Sequence, residues 1–390
     1  MNVIKIKFLP KYLLIACLSL FVISCSDDDD VVVDNTVTPP SDYTFERNGA
    51  TSVSYSGQTA RLKMANELSS AMNNASSTKS GLTNMFDNGT GFSDATLDAT
   101  GKKIGNKTFA SAVASSTVKP KFDAWITDFV DNVAPKFAVT ATNGSAGFLQ
   151  DAGSTKKRYV NANGHELNQL FTKGLIGGMA ADQIVNGYLS PAKLNGAKAG
   201  NDAGTMYAEG KNYTSMEHYW DEGFGYLYGL DDQKKPTLGA TGDVLLNKYA
   251  KKIEDSNSPG IAKKIYDAFI LGRAAIVAKN YTVRDAQAVI IQQEISKIIG
   301  YKAVDYLEDF VNKATAGVAG SGEWRAAAFH SLSEGYGFIL SLQVTNDGTG
   351  KPYFTNAEVN TMLAKMSNFW TVNNADLTAM ANDIKTKMSL

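Results

Sequence analysis

The residues of this sequence best suited to chemistry are two histidines, each followed four positions later by a glutamate. His218 precedes Glu222, and His330 precedes Glu334. In a helix, residues i and i+4 lie one turn apart on the same side, so each pair can hold one metal ion or hydrogen-bond internally. Imidazole and carboxylate ligands together suit iron or zinc. Two pairs that meet would supply four ligands, as in carboxylate di-iron bundles. The alternative is a buried His–Glu contact in each segment that fixes the rotation of its helix.

The two segments that carry these pairs match each other beyond the histidine and the glutamate. Both have the pattern His-x-x-x-Glu-Gly-aromatic-Gly-aromatic-aliphatic, at a constant spacing of 112 residues (330 − 218 and 334 − 222). Seven agreeing positions without a gap indicate an internal duplication. On a helical wheel, Gly225 and Gly337 fall on the same face as the pairs. Because glycine inside a helix is destabilising, these glycines predict close approach of another backbone.

Three further residues are candidates for binding a ligand. Glu166 follows the third histidine, His165, at the start of a helical segment, where we expect the histidine to be exposed. Glu166 is a candidate ligand or outer-shell carboxylate. Arg273 and Arg325 are candidate partners for the buried carboxylates or for an anionic ligand. The alternative for each arginine is a surface ion pair worth less than about 1 kcal/mol.

Helical periodicity dominates the chain and predicts an all-α fold. The predicted helices are 63–75, 122–137, 166–184, 213–230, 261–279, 284–299, 303–313, 324–344, 357–369 and 376–388. One short strand is predicted at 51–55, and long loops at 139–164, 189–211 and 230–243. Combined with the repeat, this pattern predicts two pseudo-symmetric helical bundles, an N-terminal half over 43–245 and a C-terminal half over 246–390.

The first 42 residues are predicted to direct export rather than to fold. A basic start and an apolar run at 12–24 are typical of a signal peptide, which we place at 1–24. The tripeptide Ile-Ser-Cys that ends at Cys25 resembles a bacterial lipobox, in which the cysteine is lipidated; the alternative is a signal peptide with an incidental cysteine. Residues 25–42, with four consecutive aspartates, are predicted to be a lipidated acidic tether. The acidic run resembles the surface-export signal of Bacteroidota lipoproteins, so we expect an outer-membrane lipoprotein exposed at the cell surface.

Composition and missing motifs exclude several functions. The formal net charge is −1, and no basic patch is interleaved with aromatic residues, which excludes a nucleic-acid partner. Beyond Cys25 the chain has no cysteine, so the mature protein has neither a disulfide nor a thiolate metal site. His-Glu-x-x-His and Gly-x-Ser-x-Gly are both absent. These absences favour a binding protein over an enzyme.

Three stretches, at 43–64, 164–178 and 216–229, resemble a family of Bacteroidota lipoproteins of unknown function and, more distantly, the imelysin-like proteins. The resemblance runs over essentially the whole chain after the tether. It implies a duplicated all-helical fold of two bundles related by a pseudo-twofold axis, and an association with iron acquisition. The imelysin family carries a Gly-x-His-x-x-Glu motif thought to bind metal. The nearest counterparts here have three residues between histidine and glutamate and lack the glycine.

The resemblance and the residues together favour a lipid-anchored binding protein of the cell envelope. Its expected role is metal binding, with iron or zinc as the metal, in association with iron uptake. Its expected partners are the membrane, through the lipid anchor, and outer-membrane uptake components. The alternative is a metal-free structural or interaction lipoprotein whose His–Glu pairs are buried core locks. A third possibility, by analogy with the family, is an imelysin-type metallopeptidase.

Overall fold

The structure, a computed structural model, describes residues 36–231, 238–239, 242–319 and 323–390. Residues Val37–Leu390 form one compact unit. The predicted signal peptide, Cys25 and most of the tether lie outside the described residues. Within the described residues, no helix is long and apolar enough to span a bilayer. The boundary predicted between residues 245 and 246, and the duplication itself, stay predictions.

The described part of the chain is mostly helical, as the periodicity predicts. It contains fourteen α-helices: α1 Ser56–Ala71, α2 Lys79–Thr83, α3 Ala95–Asp98, α4 Lys119–Asp128, α5 Leu167–Leu175, α6 Pro191–Gly196, α7 Lys198–Asp202, α8 Ser215–Tyr228, α9 Leu246–Asp255, α10 Ile261–Val277, α11 Tyr281–Ala319, α12 Arg325–Ser341, α13 Asn356–Lys365 and α14 Asn374–Met388. Wider π-helical turns at Ile176–Ala181 and Gln183–Tyr188 prolong α5. The all-α prediction is confirmed.

Two small antiparallel hairpins accompany the helices. In the first, β1 Glu46–Arg47 pairs with β2 Ala50–Thr51. In the second, β3 Gly147–Leu149 pairs with β4 Arg158–Val160. The strand predicted at 51–55 is therefore wrong except at its first residue. The predicted loop at 139–164 contains the second hairpin, and the loop at 189–211 contains α6 and α7.

The longest helix, α11, joins two helices that the sequence pattern separates. Gly300 lies in the predicted gap between 299 and 303, yet the helix continues through it. A Cβ atom at Gly300 would lie 2.6 Å from the sulfur of Met388 in α14. The glycine thus allows α14 to pack closely against α11, and this contact explains a residue that otherwise predicts a helix end.

The two helices with the His–Glu pairs, α8 and α12, are positioned by buried packing. Thr214 and Glu217 cap the start of α8 reciprocally, which fixes where the helix begins. The apolar face of α8 is fully buried at Trp220 and Phe224. This helix packs on α1 and α10, while α12 packs on α5 and α11. Each His–Glu helix therefore lies against a helix from well before it in the chain, α1 for α8 and α5 for α12.

Candidate functional site

The first His–Glu pair lies on α8 with both side chains mostly buried. His218 Nε2 is 3.9 Å from Glu222 Oε1, and the two side chains are 15% and 18% exposed. His218 Nδ1 is 3.0 Å from the carbonyl oxygen of Ser54. The rings of Tyr207 and Tyr213 lie 4.7 and 4.8 Å from the imidazole centre. The histidine is thus held from three sides.

This arrangement selects one tautomer of His218. A backbone carbonyl can only accept a hydrogen bond, so Nδ1 carries the proton and donates it to Ser54. Burial lowers the pKa of His218, although the charge of Glu222 and the bond to Ser54 act in the opposite direction. The ring is therefore neutral at neutral pH, and its Nε2 lone pair faces Glu222.

The carboxylate of Glu222 is hydrogen-bonded by neutral groups. Gln58 Nε2 lies 2.9 Å from Oε1, and the hydroxyl of Tyr188 lies 3.2 Å from the same oxygen. In the part of the chain that the structure describes, no lysine or arginine pairs with this carboxylate. Among the described residues, Glu222 therefore has no directly contacting lysine or arginine.

The second pair, on α12, has the same histidine–glutamate distance but different neighbouring residues. His330 Nε2 is 3.9 Å from Glu334 Oε2, and His330 Nδ1 is 2.6 Å from Glu166 Oε2. Glu334 Oε1 lies 3.1 Å from Lys173 Nζ and 3.1 Å from the Tyr249 hydroxyl. Burial acts to raise the pKa of Glu334, but the charges of Lys173 and His330 outweigh it and lower the pKa to about 2. This carboxylate has its own buried counter-ion.

The two pairs share a feature that neither motif revealed. In each, Nδ1 is bound to an oxygen from an earlier segment, and Nε2 faces a glutamate at 3.9 Å. The acceptors, Ser54 and Glu166, are 112 residues apart (166 − 54), the same spacing that separates the histidines. Metal-binding histidines characteristically donate their other N–H to a carbonyl or carboxylate, which orients the ring.

The glycines on this face allow the expected close approach. A Cβ at Gly225 would lie 2.5 Å from the Cβ of Tyr55, just before α1. A Cβ at Gly337 would lie 2.5 Å from Lys173 Cβ and 2.7 Å from the backbone nitrogen of Gly174 in α5. Each His–Glu helix thus contacts its neighbour through a glycine.

The four side chains His218, Glu222, His330 and Glu334 do not form one site. Their contacts are separate, since the first pair is bounded by α1 and the π-helical turns and the second by α5, α9 and α11. Among the described residues, no group of three or more His, Cys, Asp and Glu side chains is arranged to hold a metal ion. Each pair must be judged as a separate two-residue centre.

The two candidate arginines occupy very different places. Arg273 is fully buried and lies 3.0 Å from Glu217 and 3.0 Å from Asp221, two further carboxylates of α8. Arg325 is 38% exposed and pairs with Glu323. Sequence reasoning missed Glu217 and Asp221. The sequence pattern that could have revealed them is two acidic residues four positions apart on an otherwise apolar helix, because buried carboxylates need a buried cation as partner.

The expectation that His165 is exposed is wrong. The residue is 8% exposed, its Nε2 lies 3.0 Å from the carbonyl of Met366, and its ring meets Phe369 edge-on at 4.5 Å. Burial lowers its pKa to about 4. The chain folds back at Gly164, with φ +83°, so this helix start lies under the loop that follows α13.

The fold and these contacts define an all-helical protein with two buried histidine–glutamate pairs, each oriented by an oxygen from an earlier segment. The chain belongs to the family described as a domain of unknown function (DUF4856), whose model matches residues 40–390. No curated protein and no solved structure matches it. Function therefore has to be argued from the geometry.

Proposed function

We propose that this protein is a lipid-anchored envelope protein that binds a transition-metal ion, iron or zinc, at His218 and Glu222 and acts in metal uptake. The observation that carries the proposal is the His218 tautomer. Its Nδ1 is occupied by the Ser54 carbonyl, so the Nε2 lone pair is directed toward a carboxylate 3.9 Å away. An imidazole nitrogen beside a carboxylate is a donor set that suits both metals.

The distance of 3.9 Å between His218 Nε2 and Glu222 Oε1 distinguishes a hydrogen bond from a shared metal ion. A hydrogen bond between these atoms would bring them within about 3.2 Å. Metal bonds to histidine nitrogen and carboxylate oxygen are each about 2.0–2.2 Å. One ion can therefore bind both atoms if the nitrogen–metal–oxygen angle is bent. The pair is thus too far apart for a direct contact and close enough for a shared ion. Two protein ligands leave coordination positions for water or another ligand.

The second pair supports a structural role better than a metal site. Lys173 is 3.1 Å from Glu334, and a metal ion at that carboxylate would have to displace or tolerate a buried ammonium group. Glu222 has no such competitor among the described residues, because Gln58 and Tyr188 are neutral. We therefore assign metal binding to the first pair. To His330 and Glu334 we assign the structural role of a core lock, a buried contact that fixes the rotation of its helix.

Envelope location and uptake partners rest on the sequence. The apolar run at 12–24, Cys25 and the aspartates behind it support lipidation and surface exposure. A lipid anchor would hold the folded unit beside outer-membrane uptake components.

Metal binding can be tested on the mature chain with Cys25→Ser, which keeps the protein soluble for calorimetry. We expect saturable binding of Fe²⁺ or Zn²⁺, and at a concentration of 100 times Kd a stabilisation of about 2.7 kcal/mol. His218→Ala and Glu222→Gln should abolish binding. His330→Ala and Glu334→Gln are matched controls that should lower the melting temperature yet leave binding intact.

Two results would count against this function. The first is a wild-type chain that binds neither metal and whose melting temperature stays constant in excess metal. The second is loss of binding in the α12 controls with retention in the α8 variants. The first result would favour the metal-free interaction protein, and the second would move the site to the other pair.

A further inference from the structure

Positive charge accumulates beside the first His–Glu pair. Arg61 of α1 is 6% exposed, and its Nε donates to the backbone carbonyl of Lys103 at 3.0 Å. Lys107 is half-buried, with its ammonium 5.1 Å from the ring centre of Tyr188. Within the described ranges, no carboxylate forms an ion pair with Arg61, Lys102 or Lys107. A buried guanidinium without a carboxylate is unusual, because buried charges are normally paired.

Two of these cations, Arg61 and Lys102, converge on the first turn of α1. A Cβ at Gly57 would lie 3.5 Å from Lys102 Nζ and 3.7 Å from an Nη atom of Arg61. No side-chain hydrogen bond caps the amino end of this 16-residue helix. The amides of Gln58 and Thr59 donate to the Tyr55 carbonyl, and the dipole of the helix adds partial positive charge at the same place.

The cation cluster and the His–Glu pair share neighbouring residues. Gln58 follows Gly57 directly and donates to Glu222. Tyr188, which lies beneath Lys107, donates to the same carboxylate. Burial lowers the pKa of Lys107, and the positive charge of Arg61 lowers it further, while Glu222 acts in the opposite direction. Lys107 thus lies within electrostatic reach of both Arg61 and Glu222.

We propose that Arg61, Lys102 and Lys107 bind an oxyanion, a carboxylate or a phosphate, beside the His218–Glu222 pair. Arg61 supplies a planar guanidinium whose Nε donates to the Lys103 carbonyl and whose Nη1 donates to the Gly57 carbonyl at 3.5 Å; its remaining N–H groups suit both oxyanions. Lys102 supplies charge from the loop after α3, and Lys107 supplies it from the short helical turn Gly105–Lys107. This site stands without the metal. If the proposed function also holds, the oxyanion occupies coordination positions that His218 and Glu222 leave open, and the protein takes up an anionic metal complex.

Calorimetric titration of the mature Cys25→Ser chain with citrate and, separately, with phosphate tests the site. We expect at least one of the two to bind saturably, more weakly as NaCl rises. The double variant Lys102→Ala/Lys107→Ala should bind about tenfold more weakly or worse, with unchanged circular dichroism. The control Lys251→Ala/Lys263→Ala removes two lysines from exposed ion pairs on α9 and α10 and should bind as the wild type does.

The outcomes are separable. Binding of citrate alone identifies a carboxylate ligand, and binding of phosphate alone a phosphate ligand. Failure of both to bind the wild type, or equal weakening in the two double variants, overturns the proposal. A wild type that binds the anion but no metal upholds the oxyanion site and removes the proposed metal function. In His218→Ala, loss of metal binding with retained anion binding upholds both.

Discussion

Replacing Lys173 by methionine should expose how much the second His–Glu pair contributes to stability. Lys173 and Glu334 are 7% and 10% exposed at the side chain, and their charged atoms are 3.1 Å apart. Methionine preserves the apolar stem of lysine and removes the charge. The variant leaves Glu334 buried beside His330 with no ammonium group, and breaking a buried ion pair in this way costs about 3–5 kcal/mol.

The pKa of Glu334 gives an independent magnitude. Against the effect of burial, Lys173 and His330 lower it from 4.5 to about 2. A difference of about 2.5 pKa units corresponds to about 3 kcal/mol of stabilisation at neutral pH, of which Lys173 contributes the largest part. Because the folded-state pKa is depressed, this stabilisation is present above pH 4.5 and is lost as the pH falls through 2. At pH 3 about 1.4 kcal/mol should remain.

Urea denaturation of four proteins measures the pair directly: the wild type, Lys173→Met, Glu334→Gln and the double variant. We expect a coupling free energy of about 2–3 kcal/mol at pH 7 that shrinks toward pH 3. Lys263→Met, in an exposed pair on α10, should cost under about 1 kcal/mol and serves as the control. A coupling free energy below about 1 kcal/mol, or one that does not change with pH, would refute the core-lock assignment.

Four further substitutions test the packing and the buried charges. Gly337→Ala should destabilise the protein by about 1–3 kcal/mol, because the new Cβ would overlap the α5 backbone. At Gly200 a new Cβ would meet open space, so Gly200→Ala should stabilise the protein by about 0.4–1 kcal/mol. Thermal melts measure both effects. The wild type should lose roughly 3 kcal/mol between pH 6.5 and pH 4, because burial lowers the pKa of His165 to about 4 and protonation then favours the unfolded chain. In His165→Gln this loss should be absent when the free energy of unfolding is measured as a function of pH. Arg273→Met should cost about 3–5 kcal/mol in urea denaturation because it leaves the buried Asp221 without its counter-ion and leaves Glu217 with Arg47 alone. A cost below 1 kcal/mol would show that those carboxylates are protonated or hydrated.

Most helices could be predicted because a 3.6-residue apolar period is a local property of the chain. The errors occur where tertiary contacts override the local signal. Gly300 predicts a break in α11, yet contact with Met388 requires a glycine inside the helix. His165 follows Asn163 and Gly164, which favours exposure, yet the carbonyl of Met366, 201 residues away, covers it.

The candidate site could be predicted only in part for the same reason. The i, i+4 spacing places each histidine and glutamate on one face, and the structure has them there. The groups that decide what each pair does come from elsewhere in the chain. Ser54 and Glu166 each lie 164 residues before their histidines (218 − 54 and 330 − 166), and no local pattern links them. The repeat spacing of 112 could have linked Ser54 to Glu166, had it been applied upstream of the helices.

The contrast between the pairs follows from where the nearest cation lies. In the second pair Lys173 contacts Glu334 directly, so the charges cancel and the centre is complete without a ligand. In the first pair the neighbouring cations, Arg61 and Lys107, lie beyond the neutral donors that bind Glu222. No carboxylate in the described part of the chain forms an ion pair with Arg61 or Lys107. If the halves arose by duplication and the proposed function holds, the copy with an internal counter-ion took a structural role and the copy without one kept the ligand site. The histidine orientation that both copies share would then reflect the ancestral site.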